Sequence, residues 1–189
     1  MDNSALILAT LVMAIATVVA AIAAIASASY ARKAVNEQQA NFVKQLEEYR
    51  LSLFAQTTLK FEEKFNDLHF KQIRSIAAGA LLNKRDEEEA EDVFDFFETV
   101  GLFVKLGALT EGIAYSVFFH WINLYWKAGR RHIAVKRQDA ESLWGDFETL
   151  YNRVCEIEKQ TAPDSDDLRM QDSRLNQQLQ DEVDIWPRT

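Results

Sequence analysis

The sequence predicts an all-α protein with an N-terminal transmembrane helix that continues into a stalk, a small antiparallel helical bundle and a flexible acidic tail. Three observations predict this class. Residues 5–29 contain no charge, Pro or Gly, the first proline is Pro163, and later apolar residues recur every three or four positions, which is helical spacing. We therefore divide the chain into an anchor (1–29), a helical stalk and possible coiled coil (30–65), a helical bundle (66–160) and an acidic, disordered tail (161–189).

The anchor is predicted from the run ALILATLVMAIATVVAAIAAIASAS over residues 5–29. A hydrocarbon core about 30 Å thick needs roughly 20 apolar residues, so this run is long enough to cross it. A cleaved secretory signal is the alternative, because Ala-Ser-Ala at 26–28 resembles a cleavage site. That reading fits poorly, since such signals begin with basic residues and have a shorter apolar core, whereas Asp2 is the only charge before this run.

The charges that flank the anchor predict its orientation. Arg32 and Lys33 follow the run directly, and basic residues stay on the cytoplasmic side of a membrane. We therefore expect a single-pass protein of the inner (cytoplasmic) membrane, with the bilayer as one partner and residues 30–189 in the cytoplasm.

Two patterns in the first 65 residues predict self-association into a homo-oligomer. Small residues every four positions in the anchor share one face, which allows close helix packing in lipid; they are Ala16, Ala20, Ala24 and Ala28. In the stalk, seven residues fit alternating d and a positions of a heptad over about three repeats, which is the lower limit for a coiled coil; they are Val35, Gln39, Phe42, Leu46, Tyr49, Leu53 and Gln56. Val43 widens this stripe, so packing of the stalk on the chain's own bundle is the alternative.

The bundle is predicted to begin with a helix from about Asn66, its N-cap residue, to Leu82. The acidic run 86–92 then suits the positive N-terminus of an apolar helix over 92–106. Gly107 is placed to end that helix in a left-handed conformation, and Thr110 is placed to cap the next.

The next helix, over 111–128, is predicted to pair with the 92–106 helix as an antiparallel hairpin, with Gly129 as its stop. It is aromatic nearly all round, which is typical of a helix at the centre of a core. Asp139 is predicted to start the last core helix. Beyond Pro163 the sequence is polar and predicts a tail, although Leu175, Leu179 and Val183 allow a short helix.

The hairpin carries a resemblance to known proteins. Its sequence, VFDFFETVGLFVKLGALTEGIAYSVFFHWINLYW, resembles the signature of an uncharacterised bacterial family with an FFE-x-x-G helix and a second helix that ends in Tyr-Trp. Arg74 lies at the family's usual arginine in the preceding segment, and the resemblance covers roughly residues 57–128. It implies a helical fold and an N-terminal membrane helix, and it implies no biochemical activity.

Candidate functional residues are few, and the hairpin holds the first group. Glu98 lies between apolar residues and could be an acid in a pocket, joined across the hairpin by His120, or the partner of a basic residue such as Arg74. Tyr125 and Trp126 complete this group. The sequence contains no HExxH, phosphate-binding glycine loop or nucleophile elbow, so we expect no catalytic residue, metal or cofactor.

A basic cluster follows the hairpin and is a candidate for contact with an anion or lipid headgroups; it comprises Lys127, Arg130, Arg131, Lys136 and Arg137. The alternative is a solvated helix end. The acidic side chains are concentrated in residues 139–189, where 5 basic and 13 acidic residues give 5 − 13 = −8, the net charge of the whole chain. This charge argues against a nucleic-acid partner and leaves the tail, with Trp186, as a candidate docking segment for a protein partner.

These features predict a membrane-anchored, self-associating binding, scaffold or sensor protein that faces the cytoplasm. The alternative is a membrane-tethered effector or enzyme, such as an anti-phage protein, with its site at Glu98 and His120.

Overall fold

The computed structural model describes residues 3–85, 88–168 and 172–186. Within residues 3–34, the described side chains are those of Met13, Thr17, Ser27, Tyr30, Arg32 and Lys33. Six helices are present in the described chain: α1 (Asn3–Asn66), α2 (Leu68–Leu82), α3 (Glu88–Lys105), α4 (Glu111–Lys136), α5 (Gly145–Thr161) and α6 (Asp172–Asp184). These residues include no strand, so the predicted all-α class is confirmed.

The chain divides into two compact units, Met1–Leu51 and Ser52–Thr189. In the first unit, α1 exposes large apolar side chains, among them Val35, Phe42, Leu46 and Tyr49. Across the portion of the chain that is described, no helix has both the length and the apolar character needed to cross a membrane. Most side chains of the span predicted at 5–29 lie outside the described residues.

The second unit is built around an aromatic core. Phe65 near the end of α1 contacts Phe97 of α3 and Phe118 of α4, with ring centroids 6.0 and 5.5 Å away. Phe97 also stacks on Phe147 of α5 at 5.2 Å. Because aromatic side chains bury large areas, these contacts hold four helices together.

The helix ends follow the predicted capping in part. Gly107 has a φ of +69° and ends the turn after α3, and the Thr110 side chain accepts the Ile113 N–H at 3.2 Å, so both of these predictions are confirmed. The predicted N-cap of α2, Asn66, instead belongs to α1. Asp67 caps α2 by accepting the N–H groups of His69 and Phe70 at 2.9 and 3.3 Å.

Two other predicted boundaries differ. Helix α4 continues past Gly129 to Lys136, so Gly129 does not end it. Glycine is needed there for close packing instead, since a Cβ at this position would lie 2.4 Å from Phe94 Cζ. Helix α5 begins at Gly145 rather than at Asp139, after Trp144 adopts a left-handed conformation with a φ of +55°.

The predicted disordered tail differs most from the structure. Residues Asp172–Asp184 form α6, which packs against α2 and α4. Leu179 is 2% exposed, and Val183 and Glu182 are buried. The short apolar stripe of α6 therefore packs into the core. The buried Glu182 carboxylate beside it forms an ion pair with a basic side chain.

Candidate functional site

A buried polar cluster joins α2, α4 and α6. Arg74 Nε of α2 lies 3.3 Å from Glu182 Oε2 of α6, and the two side chains are 3% and 8% exposed. From α4, Trp121 Nε1 donates to Glu182 Oε1 at 3.2 Å, and the Tyr125 hydroxyl lies 3.2 Å from Glu182 Oε2. Glu182 thus accepts hydrogen bonds from two side chains of α4 and forms an ion pair with Arg74 of α2.

The electrostatics of this cluster favour a neutral Tyr125. The Arg74 guanidinium lies 3.9 Å from the ring centroid of Phe65, which is a cation–π distance. Burial, followed by the nearby Glu182 carboxylate, raises the pKa of Tyr125 well above its ordinary value. Because the cluster is closed to solvent, its arrangement suits the alignment of α6 on α2 and α4 rather than contact with a substrate.

Sequence reasoning singled out Arg74 and Tyr125 but not Glu182. The available signal was the apolar spacing of Leu175, Leu179 and Val183, which puts the adjacent Glu182 at the edge of a buried stripe.

Glu98 is a residue of α3 whose carboxylate contacts the start of α5. Its Oε2 accepts the backbone N–H of Phe147 at 2.6 Å, which satisfies one of the free N–H groups in the first turn of that helix. Beside it, Lys105 Nζ lies 2.8 Å from Asp146 Oδ1, a contact that raises the pKa of Lys105. The considered Glu98–Arg74 ion pair is replaced by this helix cap, since Arg74 pairs with Glu182.

His120 is on α4 and faces a different segment. Its Nδ1 lies 4.0 Å from Asp167 Oδ2, in the connection between α5 and α6, and its side chain is 42% exposed. The described contacts therefore give Glu98 and His120 separate partners.

Trp126 of α4 contacts α5. Its ring stacks on Tyr151 at 5.5 Å and meets Phe147 edge-on at 5.1 Å.

The predicted basic cluster is divided by the structure. Lys127 Nζ donates to the Asp167 and Leu168 carbonyl oxygens at 2.8 and 3.2 Å, and burial lowers its pKa. Arg137 Nη1 donates to Glu148 Oε2 at 2.7 Å and its Nε donates to the Leu143 carbonyl oxygen at 2.8 Å. These two cations therefore serve internal packing.

The other three cations of the cluster line cavities. Arg130 lines a cavity beside Trp126 and Tyr151. Arg131 and Lys136 line a separate one, together with basic residues of the α2–α3 connection.

The predicted self-association residues fall into two sets. Phe42, Leu46, Tyr49 and Leu53 are exposed on α1, by 60%, 46%, 63% and 42%. Ala16, Ala20, Ala24 and Ala28 lie outside the described side chains.

The described residues include one buried thiol and no cluster of metal ligands. The described residues hold no group of three or more His, Cys, Asp or Glu side chains arranged to bind a metal. Cys155 on α5 is a buried free thiol, and burial raises its pKa, which makes it a poor nucleophile at neutral pH.

Comparison with known proteins gives a family and no activity. The family model described as "Domain of unknown function (DUF4760)" matches residues 10–154, which include α2, α3, α4 and most of α5. No curated protein and no solved structure matches the chain.

Proposed function

The chain belongs to the DUF4760 family, whose description assigns no activity, and we propose from its own residues that it is a membrane-anchored, self-associating binding or scaffold protein. The observation that carries this proposal is the row of exposed apolar side chains on α1 in the first unit, Val35, Phe42, Leu46 and Tyr49. Exposed apolar rows of this kind are typical of interaction surfaces.

The proposed occupant of this row is the same row of a second copy. Successive members are seven, four and three residues apart, which is the a/d spacing of a two-stranded coiled coil. Each of the four side chains is at least 46% exposed. Pairing two identical helices would bury both rows at once, and burial of apolar area is favourable by roughly 25 cal/mol per Å².

The membrane anchor is proposed on the uncharged apolar run at 5–29, with Arg32 and Lys33 directly after it. A cytoplasmic location for residues 30–189 follows from the positive-inside rule. Both the anchor and the cytoplasmic location can be tested by fractionation of cells that express the full chain with a C-terminal fluorescent reporter. We expect a fluorescent, full-length product in the membrane fraction, and a product that begins near Ser29 outside the cytoplasm would contradict it.

Self-association is tested by mass photometry of the full chain in detergent. Phe42→Glu combined with Leu46→Glu places two charges in the row and should shift the population to monomer. Ala40→Glu combined with Asn41→Glu is the matched control, because it adds the same charge at heptad positions outside the row. Equal oligomer populations for the two double variants would overturn the proposed interface.

The anchor's small-residue face is tested separately. Ala20→Leu combined with Ala24→Leu should weaken association if anchor helices pack closely in lipid. A loss of association in this variant alone would place the interface in the anchor rather than in the α1 row.

A further inference from the structure

We infer that the groove between the end of α1, α2 and α3 binds the same groove of a second copy of this chain. The groove lies wholly within the second unit and has a volume of about 760 Å³. Helix α1 contributes lining residues between Thr57 and Lys64, α3 contributes others between Asp92 and Phe103, and α2 contributes the remainder. This contact rests on the proposed self-association, because a second copy that is held along the α1 row is present at a high local concentration.

The floor of the groove is apolar and mostly aromatic. Its five apolar side chains come from all three helices; they are Phe61, Phe70, Ile73, Phe96 and Phe103. Phe61 of α1 meets Phe96 and Phe103 of α3 edge-on, with ring centroids 5.8 and 5.2 Å away, so the floor is continuous between the two helices. Phe61, Ile73 and Phe103 are only partly buried. An apolar surface that is left open in this way is typical of an interaction site.

The apolar surface continues along α3 beyond the groove. Leu102 and Leu106 are exposed and lie three and seven residues after Thr99, which lines the groove, so they share its face of the helix. The Leu106 N–H donates to the Leu102 carbonyl oxygen at 2.9 Å, which keeps Leu106 in helical register. A strip that runs on past the groove suits a protein partner better than a small molecule, which would cover the groove alone.

The two walls of the groove carry opposite charges. The wall from α1 provides Lys60 and Lys64, and the wall from α3 provides Asp92 and Asp95. All four side chains are exposed. In the part of the chain that is described, Lys60, Lys64 and Asp92 form no ion pair. Their charges are therefore available to a partner.

A groove with one basic wall and one acidic wall is complementary to itself. In a twofold-symmetric pair the same surface is used by both copies, so each residue and its contact occur twice. The basic wall of one copy then faces the acidic wall of the other, and the apolar lysine stems cover the aromatic floor while their charged ends stay in water. A partner with a single sign of charge would instead meet one wall of its own sign.

The groove contact is expected to be weak by itself. Exposed ion pairs contribute little individually, so the contact forms where the α1 row already joins two copies. It adds to the affinity of that pair and fixes how the two bundles meet.

The test reverses each wall separately in the full chain. Lys60→Glu combined with Lys64→Glu makes the basic wall acidic, and Asp92→Lys reverses one charge of the acidic wall. Asp95 is left unchanged because its Oδ1 accepts the Trp144 Nε1–H at 2.7 Å. The matched control is Lys44→Glu combined with Lys159→Glu, since both lysines are exposed and lie outside the groove lining.

Mass photometry in detergent gives the dissociation constant of each variant alone. The double lysine variant should raise it at least about tenfold at low salt, because two attractive contacts become repulsive. The increase should shrink at high salt, since the charges are exposed. Asp92→Lys should raise the constant by less, and the control pair should leave it unchanged. The thermal midpoint of every variant should stay near that of the wild type, because the reversed side chains are exposed.

Mixing the two wall variants separates a contact between copies from a change within one copy. In the mixed pair, the unreversed basic wall of one copy faces the unreversed acidic wall of the other, and the two reversed walls face each other. With the variants carrying reporters of different mass, we expect more mixed pairs than the statistical share. A statistical share would show that the two walls do not meet across copies and would overturn the inference.

The row variant Phe42→Glu, Leu46→Glu distinguishes this inference from the proposed function. If the row variant dissociated and the wall variants did not, the proposed function would stand, the groove contact would be overturned, and the groove would be left to another occupant such as a small apolar ligand. If the wall variants dissociated and the row variant did not, the groove would be supported and the row would not. A monomeric wild type would overturn both.

Discussion

At the scale of single residues, the Arg74–Glu182 pair should make a large contribution to stability. Both side chains are almost fully buried. A buried charge that loses its partner typically costs 3–5 kcal/mol, because it cannot be solvated. Glu182→Gln should therefore lower the thermal midpoint by about 10 °C, at roughly 2–4 °C per kcal/mol for a chain of this size.

A double-mutant cycle shows whether the pair itself is responsible. Arg74→Met should be similarly destabilising, and the double variant should lose less than the sum, with a coupling of at least about 1 kcal/mol. Asp181→Asn removes the same charge from an exposed position of α6 and should change stability by less than about 0.5 kcal/mol. Additive losses in the cycle would show that the two side chains act independently.

The residues of this cluster also show the limit of sequence reasoning at this scale. Arg74 and Tyr125 are polar side chains in apolar helices, so the sequence marks both as candidates. Their partner Glu182 is one of many acidic residues in a polar segment. The apolar spacing beside it is a weak signal of burial, and its buried partners are defined only once α6 is placed against α2.

At the scale of helices, α3 approaches the backbone of α5 closely at Gly101. A Cβ built at Gly101 of α3 would lie 2.3 Å from the Asp146 carbonyl oxygen and 2.7 Å from the Asp146 carbonyl carbon. The backbone at the start of α5 cannot move away easily, since Glu98 and Lys105 of α3 both bind its first turn. Gly101 therefore permits the contact between the two helices.

Gly101→Ala should consequently destabilise the protein by about 2 kcal/mol, within the range for overpacked cores. Gly112→Ala is the matched control, because nothing lies within 4 Å of a Cβ there. Alanine at this helical position should stabilise by about 0.5 kcal/mol, since glycine loses more backbone entropy on folding. Thermal unfolding followed by circular dichroism measures both, and equal midpoints would contradict the close-approach argument.

Helices were predictable where the sequence itself marks their ends. The turn between α3 and α4 was found because Gly107 and Thr110 each have a local role. The start of α5 was misplaced because Trp144, a large aromatic residue, adopts the left-handed conformation there. The sequence predicts a tail at α6 because the segment has few apolar residues to bury. The contact of this helix with Arg74 depends on the folded arrangement and has no local signal in the sequence.

At the scale of the whole molecule, the hydrophobic core and the exposed apolar row belong to different units. In the part of the chain that the structure describes, the hydrophobic core and the apolar residues packed against it begin at Phe61. The exposed row from Val35 to Tyr49 lies in the unit Met1–Leu51. Stability and self-association should therefore be separable by truncation.

A fragment of residues 52–189 keeps the last turns of α1 with Phe61 and Phe65, together with all of α2–α6. We expect it to be monomeric and helical and to unfold cooperatively, with a free energy of unfolding of about 5–15 kcal/mol, as is usual for a domain. Urea denaturation followed by circular dichroism, with light scattering for the mass, tests this.

A second fragment, of residues 68–189, serves as the comparison because it also lacks Phe65, which is 2% exposed and covers the Arg74 guanidinium. Removal of a buried phenylalanine side chain costs about 3–5 kcal/mol, so the shorter fragment should be less stable by at least that amount. Equal stabilities would show that α1 contributes nothing to the core. If fragment 52–189 kept the oligomeric state of the full chain, self-association would have to reside in the bundle, because this fragment lacks the whole of the exposed row.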